Sequence, residues 1–216
     1  MYLVRTEFAV KEFIQILIQT RKFLSAVEEE ATRLQFQELF ENEPTFTSEW
    51  NMGESATLSR IKPFVQWKMK ASALRCVQDV CATGLLQIAK QGIALQYQGN
   101  WKKDCPLGRQ IENEYLRNVI WHGRNQAMHY EEELLPFKKD PTKEEKKKPK
   151  YKQQEDMIKC FSNLGTNFSL INNPKVCLAR KVVELLGWDS YENFRGDLQS
   201  LLMPESSVRE VGASPK

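Results

Sequence analysis

The chain has 216 residues, of which 41% are hydrophobic and 27% are charged, and its formal net charge is +3. This length allows one domain with a substantial buried core, and the composition is typical of a globular rather than a disordered protein. No stretch approaches the ~18 uninterrupted apolar residues of a membrane-spanning helix, and no apolar signal segment is recognised at the start of the chain. The five cysteines lack C-x-x-C spacing, which argues against a zinc site and fits a reducing, cytoplasmic compartment.

The first half of the chain predicts two long helices. Apolar residues recur at intervals of three and four from Thr6 to about Glu41 and again from about Thr57 to Tyr97, the spacing of an amphipathic helix. We expect a loop between them and expect Pro63 to start or bend the second helix, because its ring clashes with the preceding turn. The scarcity of glycine and proline within these runs favours an all-α fold, a helical bundle with long N-terminal helices.

A third helix is predicted after a loop that ends near Gly108, with Ile111, Tyr115, Leu116 and Val119 on its buried side. This helix carries the only two histidines of the chain, and each lies five residues after an arginine that is followed by asparagine. The pattern R-N-x-x-x-H therefore occurs twice, seven residues apart, as Arg117-Asn118-His122 and as Arg124-Asn125-His129.

Gly123 separates the two copies and indicates a break or cap, since glycine commonly ends a helix. A break would place Arg124 and Asn125 over the start of a new helix, where backbone N–H groups favour anions. If instead one helix continued through both copies, they would fall within roughly 20° of each other around its axis. We favour the second copy because Gly123 offers the turn and a polar run of three glutamates follows His129 and Tyr130.

These residue types favour phosphate-ester chemistry. Arginine binds phosphate with two parallel hydrogen bonds, histidine transfers protons near neutral pH, and asparagine orients a hydroxyl or phosphate oxygen. No carboxylate cluster, Cys/His cluster or glycine-rich phosphate loop accompanies them, so the sequence predicts neither a metal nor a cofactor. The alternative is that these side chains are surface residues or cap a neighbouring helix.

The doubled motif resembles the HEPN superfamily (higher eukaryotes and prokaryotes nucleotide-binding), whose mark is R-x(4–6)-H with a polar residue, often Asn, after the Arg. Both copies match that mark, and Tyr130 follows the second. The resemblance implies an all-α fold, a homodimer that brings two motifs into one cleft, and metal-independent endoribonuclease activity. Such proteins are commonly toxins or antiphage effectors. An antitoxin partner would be a separate protein, because no nucleotidyltransferase motif occurs in this chain.

On this resemblance, Arg124 would hold the scissile phosphate, His129 would move a proton and Asn125 would orient one of them. Attack by the 2′-hydroxyl of RNA would leave a 2′,3′-cyclic phosphate. The alternative assignment makes the first copy, with Arg117 and His122, the reacting pair and the second copy a binding site for backbone phosphate. A different class of function is a non-catalytic module that binds RNA, a nucleotide or a protein.

Residues 138–152 hold eight lysines against three acidic residues, a local charge of +5 that leaves the remainder of the chain at 3 − 5 = −2. Two prolines and the near absence of apolar residues predict a mobile loop. Together with Arg117, Lys138 and Lys139 are candidate contacts to an RNA backbone. The alternative is a solvated insert without a binding role.

Shorter helices are predicted in the last third of the chain. We expect residues 153–203 to complete the bundle that residues 1–137 begin, and residues 204–216 to form a flexible tail. The predicted helices are Asp156 to Phe168, Pro174 to Leu186 with Asn173 as its N-cap, and a last helix capped by Asp189 or Ser190 and ending at Leu202.

Overall fold

The computed structural model describes residues 2–41, 54–137 and 142–203, and within these ranges it is a mainly helical protein, as predicted. Two long helices, α1 (Tyr2–Glu41) and α2 (Glu54–Tyr97), precede a short helix α3 (Trp101–Asp104). Helix α2 thus begins ahead of Pro63 rather than at it. None of the described helices combines the length and the apolar character that a membrane span requires.

A small antiparallel hairpin follows α3 and replaces the predicted start of the third helix. Its strands β1 (Gln110–Ile111) and β2 (Glu114–Tyr115) pair Gln110 with Tyr115. Helix α4 (Leu116–His129) begins only after the hairpin. Glu112 has a positive φ of 51°, which a helix does not accommodate, so Ile111 and Tyr115 lie in strands instead of on a helix.

The C-terminal part contains the shorter helices α5 (Lys143–Lys147), α6 (Pro149–Asn163), α7 (Ala179–Leu185) and α8 (Tyr191–Leu202), and two 3₁₀ turns at Leu135–Phe137 and Thr166–Phe168. The interpretation of residues 138–152 as a loop is wrong for α5 and for the first turn of α6. Proline at the first helical position suits the start of α6, and Met157, Cys160 and Phe161 bury its inner face. Residues 138–141 and the expected tail 204–216 lie outside the described residues.

Helix α7 is shorter than the predicted Pro174–Leu186 helix. Lys175 has a φ of 56°, and Asn173 donates its side-chain amide to the carbonyl of Ser169 instead of capping a helix. Gly187 ends the helical region with a φ of 67°, as its position predicted. Ser190 is the N-cap of α8, because its hydroxyl accepts a hydrogen bond from the backbone N–H of Asn193.

The chain divides into two compact units, residues 15–80 and residues 1–14 with 81–216. In the first unit Leu24 and Val27 of α1 pack around Ala71 of α2. In the second unit the two helices also touch, because Gly84 lies against the ring of Phe13: a Cβ atom on Gly84 would be 2.6 Å from that ring. Glycine at this position therefore permits the close approach of the two helices.

The core of the second unit surrounds α4, which packs on α6 and α7. Leu116, Val119 and Ile120 of α4 are almost completely buried. One turn further on, a Cβ atom on Gly123 would lie 3.1 Å from Cγ1 of Val182 in α7. Gly123 therefore permits the contact between helices and does not interrupt α4, so the predicted break is wrong.

Candidate functional site

Helix α4 carries both copies of the motif without interruption. An arginine and a histidine five residues apart on such a helix point roughly 140° apart. Whether they act on one ligand therefore depends on the neighbouring elements that each side chain contacts. The two copies are surrounded by different elements, and their geometries differ accordingly.

Arg117 of the first copy is buried and holds α3 in place. Its Nη1 donates to the backbone carbonyls of Trp101 (3.4 Å), Lys102 (3.2 Å) and Cys105, and the guanidinium lies 5.6 Å from the centre of the Trp101 ring. Its Nε is 3.4 Å from Oδ1 of Asn118. A cation suits the carbonyl end of a helix, which explains why the arginine is buried here.

His122 of the first copy is only 7% exposed. Its ring meets Trp101 edge to face, with centroids 6.3 Å apart, and no described group forms a hydrogen bond with its Nδ1. Burial lowers the pKa of His122 to about 4, although Asp156 and Glu114 act in the opposite direction. At neutral pH the imidazole is therefore uncharged and able to accept a proton.

Arg117, Asn118 and His122 line one cavity of about 480 Å³, which we call the His122 cavity. Exposed side chains such as Lys102 and Tyr115 contribute to its wall, so solvent reaches it. The remaining lining residues come from α3, the loop after it, the hairpin and α6: Trp101, Leu107, Glu114, Asp156, Lys159, Cys160 and Asn163.

Hydrogen bonds fix the polar groups of the His122 cavity. Asn118 donates its amide to Glu114 at 2.8 Å, which orients the asparagine. Lys102 pairs with Asp156 at 2.6 Å, and this lysine helps to hold the pKa of Asp156 below its usual value against the opposing effect of burial. Lys159 is exposed and also lines the cavity. The cavity thus offers cationic groups beside a neutral imidazole.

Two residues of the second copy form hydrogen bonds with α2. Arg124 donates from Nε to Oε1 of Gln87 in α2 at 2.6 Å, and Asn125 accepts from Lys90 of the same helix at 2.7 Å. His129 and Asn125 line one cavity of about 290 Å³, and Arg124 does not contribute to its wall. A single protomer therefore does not bring Arg124 and His129 together in the way that the favoured assignment required.

His129 has half of its side chain exposed, and its Nδ1 lies 2.7 Å from Oε1 of Glu132. The other carboxylate oxygen of Glu132 pairs with Lys150 of α6 at 2.7 Å. These contacts hold the pKa of Glu132 below its usual range, Lys150 contributing most. His129 lines two cavities, of about 180 and 290 Å³, whose walls include Leu134 and Met157 but not Arg124.

Lys138 and Lys139, the other predicted RNA contacts, lie outside the described residues. Sequence reasoning missed Trp101, Lys102, Asp156 and Lys159 as parts of the His122 cavity. They come from helices far along the chain, and no local spacing marks them. In the part of the chain that the structure describes, no group of three or more His, Cys, Asp or Glu residues is arranged to hold a metal ion.

Comparisons with protein-family models, with curated proteins and with solved structures find no match to this chain.

Proposed function

We propose that the protein is a HEPN-like, metal-independent endoribonuclease in which the first motif copy acts on RNA. The observation that carries this proposal is that Arg117, Asn118 and a neutral His122 line one solvent-accessible cavity. In the second copy Asn125 and His129 share a cavity, but Arg124 does not line it. The resemblance of the motif to the HEPN superfamily suggests the reaction class, and the shared cavity favours the first copy as the reacting one.

In the proposed reaction, the scissile phosphate of RNA enters the His122 cavity. Neutral His122 takes the proton of the 2′-hydroxyl as its oxygen bonds to phosphorus. The bond from phosphorus to the 5′-oxygen breaks, and the imidazolium returns its proton to that oxygen. Lys102 and Lys159 stabilise the negative charge that builds up on the phosphate, with Arg117 supporting the cavity wall. The products are a 2′,3′-cyclic phosphate and a 5′-hydroxyl.

The test is cleavage of RNA by purified protein in EDTA, with His122→Gln and the matched variant His129→Gln. We expect His122→Gln to lose activity by about 100-fold or more, the usual contribution of a positioned proton acceptor. His129→Gln should cut at the wild-type rate, and circular dichroism should confirm that both variants fold. Equal cleavage by wild type and His122→Gln, or no cleavage by any of them, overturns the proposal.

A pH profile tests the assignment of His122 as the base further. The pKa of about 4 for His122 predicts that kcat/KM stays level from neutral pH down to about pH 5. An essential base with the usual histidine pKa would instead lose activity from about pH 6.5 downwards. An RNA with a single 2′-deoxy ribose at the cleaved position should resist cutting, because the attacking hydroxyl is missing.

The biological setting belongs to the same proposal. On the family resemblance, two protomers pair with their α4 helices facing, and the protein is a toxin or antiphage effector that a separate antitoxin protein restrains. We place it in the cytoplasm, where RNA is available and where its five cysteines, all free thiols, would stay reduced. Light scattering of the purified protein measures whether it is a dimer.

A second candidate function is RNA or nucleotide binding without cleavage. The hydrogen bonds from Arg117 to the carbonyls of α3 favour it, because they give that guanidinium a structural task. In that case the protein binds RNA with an affinity that falls steeply with salt and leaves the RNA intact. The cleavage assay above distinguishes the two candidates.

A further inference from the structure

Two cations lie side by side where α2 meets α4. Lys90 donates from Nζ to Oδ1 of Asn125 at 2.7 Å, and Arg124 donates from Nε to Oε1 of Gln87 at 2.6 Å. Both acceptors are neutral amides, so these hydrogen bonds orient the cations and do not neutralise them. All four side chains are partly buried.

The charge of this pair is not balanced by any described carboxylate. Neither Lys90 nor Arg124 takes part in a salt bridge among the described residues. Burial, and after it the charge of Arg124, lowers the pKa of Lys90 to about 8. Partly buried charges without a counterion are unfavourable, and a bound anion would relieve that cost.

A stack of aromatic rings connects the pair to the His122 cavity. Lys90 Nζ lies 4.5 Å from the centre of the Trp121 ring, and Trp121 stacks on Trp101 with centroids 4.0 Å apart. Trp101 in turn forms part of the wall of the His122 cavity. The cationic pair and the cavity are thus separated by two stacked rings, a distance that successive nucleotides of one strand can span.

We propose that Lys90 and Arg124, oriented by Asn125 and Gln87, bind a backbone phosphate of the same RNA strand whose scissile phosphate occupies the His122 cavity. This inference rests on the proposed function for its ligand, and it gives the second arginine–asparagine pair a binding role. Arginine forms paired hydrogen bonds with a phosphate, and lysine adds a point charge.

The experiment measures binding of a short single-stranded oligonucleotide with 2′-O-methyl riboses, which cannot be cleaved by 2′-hydroxyl attack. Lys90→Gln and Arg124→Gln should each weaken binding by about tenfold and lower the salt dependence by about one released ion. Lys90→Arg keeps the charge and should keep the salt dependence. Lys70→Gln is the matched control: it too lies on α2 with its ammonium near a tryptophan ring, 4.3 Å from that of Trp67.

Unchanged affinity and salt dependence in both Lys90→Gln and Arg124→Gln would overturn the inference, as would an equal loss in Lys70→Gln. The proposed nuclease is tested separately, because it depends on cleavage by wild type and its loss in His122→Gln. If RNA is bound through Lys90 and Arg124 but never cut, the phosphate site stands and the nuclease falls. If RNA is cut but neither Lys90→Gln nor Arg124→Gln alters binding, the nuclease stands and the phosphate site falls.

Discussion

Replacing His122 by glutamine should make the free energy of unfolding less sensitive to acid, because the substitution removes a buried imidazole that protonates more readily in the unfolded chain. In the native protein the pKa of His122 is lowered from 6.5 to about 4 by burial. The unfolded chain therefore takes up a proton near pH 6.5, whereas the native state resists it until about pH 4. The stability contributed by the neutral imidazole is fully present above pH 6.5 and is lost as the pH falls through this window.

The interval from 6.5 to about 4 sets the magnitude of the effect. Each tenfold difference in proton affinity corresponds to about 1.4 kcal/mol, so the wild type should lose about 3 kcal/mol relative to His122→Gln across the whole window. Solvent screening reduces this value little, because only 7% of the residue is exposed. Any constant cost of the substitution cancels, since the comparison is between slopes.

The measurement is urea unfolding of both proteins at several pH values between about 7.5 and about 4.5, with the free energy of unfolding extrapolated to water. The free energy of unfolding of the wild type should fall more steeply than that of His122→Gln as the solution becomes more acidic. Parallel slopes for wild type and His122→Gln would show that the native imidazole protonates as it does in water, and the reasoning from burial would be wrong.

Three further predictions concern the framework of the site. Asp197→Ala should cost about 2 kcal/mol in denaturant unfolding, because the buried Trp188 loses its 2.9 Å acceptor and Arg109 loses the carboxylate it pairs with; a change within error would contradict this. Gly196→Ala should raise stability by about 0.5–1 kcal/mol in thermal melts, since an added Cβ meets nothing within 4 Å in α8; a lower Tm would refute it. Exposed Cys76 should react with a disulfide reagent well before buried Cys105, whose pKa burial raises to about 11; equal rates would contradict the burial.

The location of the main helices could be predicted because it depends on local physics. The apolar spacing from Thr6 onwards and up to Tyr97 matches α1 and α2 closely, and α8 is capped by Ser190, one of the two predicted caps. Periodicity and capping depend on neighbours within a few residues, and the sequence states those directly. The doubled motif was visible for the same reason.

The glycine between the motif copies shows where local reasoning fails. Gly123 was interpreted as a helix stop, but it allows Val182 of α7 to approach α4. The prediction of a loop over the lysine-rich residues 138–152 failed for a similar reason. Helix α6 begins at Pro149 within that segment, and burial of its later residues stabilises it. Helix α7 begins late since Gln126 of α4 holds the preceding segment by hydrogen bonds with Val176 and Leu178.

The amino-acid sequence by itself determined that this chain is mainly helical and that two arginine–asparagine–histidine copies lie seven residues apart, whereas the continuity of α4 through both copies came from the structure. Only the tertiary structure decided what each pair faces: the cavity beside Trp101 for His122, and Lys90 of α2 for Asn125. The reason is that burial, charge balance and hydrogen-bond partners come from residues tens of positions away. Packing alone brings those residues to the helix, and with them it sets the pKa of His122.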